Sequence, residues 1–324
     1  MINVFLRQDN MISRQPFDEN LLKEAQYTVL WIDVLRPSAE EITRLEECFS
    51  GLDIPNDEER EEIEESSRYW EDRERITINT YFLTSKTRIG WEMYHSINNE
   101  TVSFLLYKKI LFTVRYREFR TFDEIQRRVL TSPKTFLDGF DVLGKIFEYR
   151  IEQDADMLEK AAKDTRDLRA VVFGSAYNND EVLDQIAMLQ DFHMRIRDSL
   201  FDKRRSLAAL MKSNQGDDDL RRELGIALKD INSLLEFTNA NMGSIENIQN
   251  LFSNQIDLEQ SKTIRFFTVI TVAFMPPTLI GTIYGMNFSN MPELNWEYGY
   301  PLALGIMFLS VACPLVYFKF KKWL

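Results

Sequence analysis

Apolar and polar positions follow three different rhythms along this 324-residue chain. Residues 26–35 (QYTVLWIDVL) and 76–83 (ITINTYFL) are dominated by β-branched and aromatic side chains and predict strands. Residues 101–116 (TVSFLLYKKILFTVRY) predict two more, joined by a turn at Lys108-Lys109. Between the first two strands, SAEEITRLEECFSGL places Ile42, Leu45 and Phe49 at helical spacing, with Ser38 as N-cap and Glu41 three residues on. Strands interleaved with a helix predict an α+β domain, a mixed α/β sheet with helices, over residues 1–133. The strand signal then disappears, and charged helical sequence fills 134–216, broken by GSAYNND at 174–180. SNQGDDDL (213–220) predicts a turn and the acidic first turn of a further helix, which the helix dipole favours. In that helix Leu224, Leu228, Ile231, Leu235, Met242, Ile245, Phe252 and Ile256 step by threes and fours, interrupted at Thr238 and Gln249. The seam is heptad-like and predicts helix–helix packing. No proline stands between 218 and 275, so a long stalk helix is expected over 217–284, continuing into an apolar segment.

Two segments have the length and composition of membrane spans. Phe266 to Tyr284 has no charged residue over 19 positions, and Pro301 to Phe318 has none over 18. Both approach the roughly 20 residues that cross a bilayer. Lys262 and Arg265 precede the first, Lys319, Lys321 and Lys322 follow the second, and the connector 285–300 has no Lys or Arg. The positive-inside rule therefore places both termini, including the basic tail 319–324, in the cytoplasm and the connector outside. Trp296, Tyr298 and Tyr300 on one side, with Tyr317 and Trp323 on the other, suit the two interfaces. At ~100° per residue, Ser261, Ile264, Thr268, Thr271, Met275, Thr278 and Thr282 fall on one face of the first span, and five of these seven carry hydroxyls. Two readings stand: hydroxyls bonding to their own or neighbouring helices, or a wet stripe facing the axis of an oligomer. Pro276 and Pro277 each remove a backbone donor. A carbonyl freed toward such an axis would serve a passing cation, and a packing kink is the alternative.

Charge adds an asymmetry. Residues 1–75 hold 20 acids and 9 bases, so almost all of the chain's net charge of -12 sits there. The run DEEREEIEE (57–65) has seven carboxylates in nine residues and reads as a solvated helix face or as a surface sensitive to divalent cations. Cys48 and Cys313 are not expected to pair, and His95 and His193 have no metal-ligand spacing. Nothing matches a nucleophile with its base or a Gly-rich phosphate loop, so an enzyme is not expected, nor is a nucleic-acid partner.

Tyr284-Gly285-Met286-Asn287, then Met291-Pro292-Glu293-Leu294, then the C-terminal YFKFKKWL, resemble the CorA family of magnesium channels. The order of α/β domain, long helix, two spans, Gly-Met-Asn loop and basic tail is also the family's. The resemblance implies a homopentameric funnel in a lipid bilayer, in a bacterial inner membrane, with the first span around the pore. It implies a selectivity filter at Gly285, Met286 and Asn287, a constriction at Met275, and apolar narrowing at Ile264 and Phe267. Ser261 stands where family members commonly have asparagine, which leaves a smaller ring. With Thr271, Thr278 and Thr282 these residues complete the expected pore lining, and Glu293 stands at the external mouth. Mg²⁺ is implied both as substrate and as regulatory ligand, with Co²⁺ and Ni²⁺ as further substrates and no resident cofactor. Regulatory Mg²⁺ is expected in the cytoplasmic domain, where Asp217, Asp218 and Asp219 are the candidates. The alternatives are a zinc or other transition-metal transporter on the same fold, and a membrane-anchored coiled-coil scaffold.

Overall fold

The computed structural model describes residues 1–19, 28–56, 59–60, 68–85, 87, 90–174, 178–287, 291–292 and 296–321. They form two compact units, Met1–Ile248 and Gln249–Leu324.

The first unit is built on seven strands, β1 (Ile2–Gln8), β2 (Met11–Pro16), β3 (Thr28–Leu35), β4 (Tyr69–Glu71), β5 (Arg75–Thr84), β6 (Asn98–Tyr107) and β7 (Ile110–Arg115). They lie in the order β2-β1-β3-β7-β6-β5-β4. All neighbours are antiparallel except β3 and β7, which run parallel with Ile32 opposite Phe112. Alternate residues of a strand face opposite sides, and here both sides are covered. Val4, Leu6, Ile32, Val34 and Phe112 pack beneath α1 (Ala39–Cys48). Phe5 and Trp31 stack on the other side, where Trp31, Phe82 and Phe104 meet Phe122 of α3 (Arg120–Thr131). Burial on both faces is why β3 reads as a nearly unbroken apolar run. Its one acid, Asp33, is fully buried and receives Arg115, Thr113 and Gln126 at 2.8 to 3.1 Å.

The local signals act as expected. Ser38 and Glu41 form the reciprocal capping box of α1. Lys108 and Lys109 make the β6–β7 turn with φ of 47° and 71°, a left-handed pair that matches the twist of a two-residue hairpin. The β1–β2 hairpin, β4, α3 and the short α2 (Glu92–His95) had no sequence signal strong enough to be anticipated. The acidic run 57–65 lies outside the described residues except for Glu59 and Arg60.

Two long helices follow, α4 (Gly139–Phe173) and α5 (Asn179–Lys212). They belong to the same compact unit as the sheet. Asp202 of α5 accepts from the Tyr81 amide at 2.8 Å, and Ser199 donates to the Tyr81 carbonyl at 2.7 Å. The helix α6 (Asp218–Tyr284) contains the boundary between the two units. Within the first unit its seam is already covered by this chain: Leu224, Ile231, Leu235, Ile245 and Ile248 are buried. Lys145 of α4 reaches Glu223 at 3.2 Å, and Arg197 of α5 reaches the Met242 sulfur at 3.8 Å. Thr238 does not interrupt the seam, because its hydroxyl donates to the Leu234 carbonyl at 2.7 Å and leaves it fully buried. The seam up to residue 248 therefore serves intrachain packing and is not by itself a signal for association.

A buried ionic cluster lies where α4 and α5 meet β5. Asp154 pairs with Arg150 and with Lys203 at 3.0 Å, and all three are almost wholly buried. Nearby, Arg68 faces Asp202 at 3.9 Å. Burial lowers the Lys203 pKa to about 8, opposed by Asp154 and assisted by Arg150. An unfolded lysine titrates near 10.4. Between pH 8 and about 10 the unfolded chain thus holds a proton that the folded chain has released, and stability rises with pH. Below pH 8 both states are protonated and the burial cost of the ammonium is present in full. In urea titrations the midpoint is expected to increase from pH 8 to 10, and Lys203→Met, which leaves Asp154 paired with Arg150, is expected to abolish that increase.

Candidate functional site: the paired apolar helices and the Gly-Met-Asn turn

The second unit holds the end of α6 and α7 (Gly299–Phe320). Both are long and apolar enough to cross a membrane. The six exposed aromatic and aliphatic side chains at 264, 266, 267, 274, 275 and 279 would be untenable in water on so short a stretch.

α7 covers one face of α6. Val269 and Ala273 are 3% and 2% exposed, while Ile264, Phe267 and Met275 are 65%, 60% and 64% exposed. A side chain added at Gly281 would meet the Met307 methyl of α7 at 3.9 Å. At ~100° per residue, the covered positions lie on the side of the helix opposite Ile264, Thr268, Thr271, Met275, Thr278 and Thr282. The hydroxyl stripe thus lies within the surface that α7 leaves uncovered, together with Phe266, Phe274 and Leu279. The prolines are half-buried on the covered side. The carbonyls they free belong to Val272 and Ala273, and Ala273 is among the covered residues. Val272, by contrast, is 40% exposed, so the two freed carbonyls start from one covered and one exposed residue.

The hydroxyls of Thr268, Thr271, Thr278 and Thr282 donate to carbonyls four residues back, at 2.7, 2.9, 2.8 and 2.7 Å. Each proton is spent within the helix. Each oxygen keeps lone pairs that point away from it. The stripe therefore presents acceptors in a row, which is what the hydrogens of a hydrated cation require.

α6 ends with Gly285 N–H donating to the Gly281 carbonyl at 2.9 Å and Met286 N–H to Ile283 at 3.2 Å. A Cβ on Gly285 would sit 3.0 Å from the Gly281 oxygen, a close approach that glycine avoids. Gly285, Met286 and Asn287 are exposed at a helix C-terminus, where unsatisfied carbonyls and the macrodipole favour cations. Glu293 lies outside the described residues.

The acidic triad starts α6. Asp217 accepts from the Leu220 amide at 2.8 Å, Asp218 pairs with Arg221 at 3.1 Å, and Asp219 pairs with Arg222 at 3.2 Å. Within one chain these carboxylates serve as cap and i,i+3 partners. Among the described residues no three acids, histidines or cysteines gather as a metal site.

The sequence profile of the CorA-like Mg²⁺ transporter proteins matches residues 26–322. The chain belongs to this family. It is 56% identical over 324 residues to the magnesium transport protein CorA of Wolinella succinogenes, and 49% identical over 329 residues to that of Campylobacter jejuni, covering all of each. The fold is that of the complete structure of the CorA magnesium transporter from Methanocaldococcus jannaschii, with a TM-score of 0.81, 17% identity, and 100% and 99% of the two chains covered. Family membership makes the two apolar helices membrane spans and the chain an integral membrane protein of the transporter class.

Proposed function

We propose that the protein is a Mg²⁺ channel of the bacterial inner membrane, with both termini in the cytoplasm, formed by five copies whose α6 stripes surround the ion path. The observation that carries this reading is the uncovered stripe. α7 packs against the opposite face of α6, so five copies arranged with α7 outermost bring back-bonded threonine oxygens to a common axis. Mg²⁺ dehydrates reluctantly and usually keeps several waters. Threonine oxygens and the Asn287 carboxamides accept hydrogen bonds from that water shell without binding the bare ion too tightly to release it. Met275 and Ile264 supply apolar rings between them. For a divalent ion, two charges crossing 100 mV gain about 4.6 kcal/mol, so the membrane potential suffices to drive influx.

Co²⁺ and Ni²⁺ are expected as additional substrates. Closure by internal Mg²⁺ is part of the proposal: acidic surfaces of neighbouring copies repel until bound cations neutralise them. The acids at 217–219 are exposed enough to meet such a neighbour. The test is a side-by-side flux assay in proteoliposomes with Mg²⁺ and Zn²⁺, combined with the mass of the detergent-solubilised assembly. Mg²⁺ influx that responds to an inside-negative potential, from a pentamer, is the expected result. A monomer, a flux confined to Zn²⁺, or no flux at all overturns the reading.

A further inference from the structure

Among the described residues the ionic cluster of the first unit holds one more cation than anion. Arg68, Arg150 and Lys203 supply three cations, and Asp154 and Asp202 supply two anions, all buried at a few per cent exposure or less. Among the described residues no further carboxylate reaches the cluster. An uncompensated buried cation is costly. It is normally relieved by losing a proton or gaining a partner, and an arginine does not lose its proton.

Arg150 is placed to gain that partner. It is only 3% exposed, yet it lines a cavity of about 300 Å³ bounded by the end of β5, the start of α3 and the middle of α4. One of its terminal nitrogens is held by Asp154, while its Nε has no hydrogen-bond partner. Arg120 and Lys160 line the same cavity, together with Thr84. The N-terminus of α3, a 12-residue helix, opens onto it. Its N-cap is Phe119, which also lines the cavity and offers no side-chain acceptor to the first amides. Helix N-termini with free amides bind anions, phosphate above all. Glu118 and Asp156 also line the cavity, so it is no general trap for negative charge. The terminal nitrogens of Arg68 also have no hydrogen-bond partner among the described residues, but of the cluster's cations it is Arg150 that lines the cavity. The volume falls at the lower end of the range of small-ligand pockets.

We infer that this cavity is a binding site for a small phosphate-bearing anion, free or as a phosphomonoester, held between Arg150, Arg120, Lys160 and the first amides of α3. The anion neutralises the surplus charge of the Arg150–Asp154–Lys203 cluster and ties α3 to α4. The site is separate from the ion path and does not depend on the transport reading.

The experiment is isothermal titration of the full-length protein in detergent, in Mg²⁺-free buffer at constant ionic strength, with inorganic phosphate or adenosine monophosphate against chloride. Saturable binding of either phosphate compound is expected, and which one binds distinguishes a free anion from a phosphomonoester. Arg120→Ala removes an exposed cavity residue and is expected to weaken binding at least fivefold. Lys203→Met removes the surplus charge without touching the cavity wall and is expected to weaken it similarly, a change that a loose surface contact would not show. No heat beyond that of chloride in the wild type, or wild-type affinity in both variants, overturns the inference.

Discussion

Replacement of Asn287 by alanine is expected to lower Mg²⁺ influx into proteoliposomes at least tenfold at equal protein incorporation. The residue follows the C-terminal turn of α6 directly and is exposed there. In a ring of copies its carboxamides are the last neutral acceptors that the external end of the helix presents. Each accepts hydrogen bonds from the water shell of the ion, at a net ~0.5–1.5 kcal/mol apiece. Losing two of them shifts capture of the hydrated ion by roughly 1–3 kcal/mol, and about 1.4 kcal/mol is already a factor of ten. Asn287→Asp separates acceptor geometry from charge. A ring of carboxylates keeps the acceptors but holds a divalent ion more tightly, so influx is expected to fall while half-saturation moves to lower Mg²⁺. Neither substitution should move the unfolding midpoint, because the side chain is exposed. Wild-type influx in Asn287→Ala would show that the turn is not part of the ion path.

Gly139→Ala is expected to produce the largest loss of stability from the smallest change in the chain. A Cβ at this position would lie 2.5 Å from the Leu111 nitrogen, 2.7 Å from the Lys109 oxygen and 2.9 Å from the Ile110 carbon. All three are backbone atoms of the β6–β7 turn and the first residues of β7, which cannot swing aside. The start of α4 would have to withdraw, breaking the 2.7 Å bond from the Gly139 amide to Lys109 and the Lys109–Asp138 pair. Overpacking against fixed backbone costs about 1–3 kcal/mol and occasionally more, a large share of the roughly 5–15 kcal/mol that holds a domain together. Gly225→Ala is the matched control. It sits within α6 with nothing within 4 Å of the added methyl, and alanine is favoured over glycine in a helix by roughly 1 kcal/mol. Urea unfolding should therefore give opposite signs for the same chemical substitution. Equal effects would mean that the close approach of α4 to the turn does not hold.

How much of this was legible follows from the range of the forces concerned. Ser38 with Glu41, and Lys108 with Lys109, are local signals, each satisfied within a few residues, and the structure uses both as read. The two spans were legible because a run of 18 or 19 uncharged residues has few stable places other than a bilayer. β2 was not, because only Ile12 of its six residues is buried, and an edge strand carries little of the apolar alternation that marks a strand. α3 was missed for a related reason: its N-cap is Phe119, which gives no capping signal.

Sequence alone determined the order of domain, long helix and two spans, the hydroxyl stripe, and the Gly-Met-Asn turn at its end, because each is a periodicity or a composition confined to one segment. Tertiary structure decided which face of α6 is left uncovered and that the seam of the long helix is used within the chain. It also brought Arg150, Asp154 and Lys203 together from two helices whose charges read, one at a time, as ordinary solvated faces. Periodicity fixes which residues share a side of a helix. Only packing against a neighbour fixes where that side points, and whether a charge on it meets water or another charge.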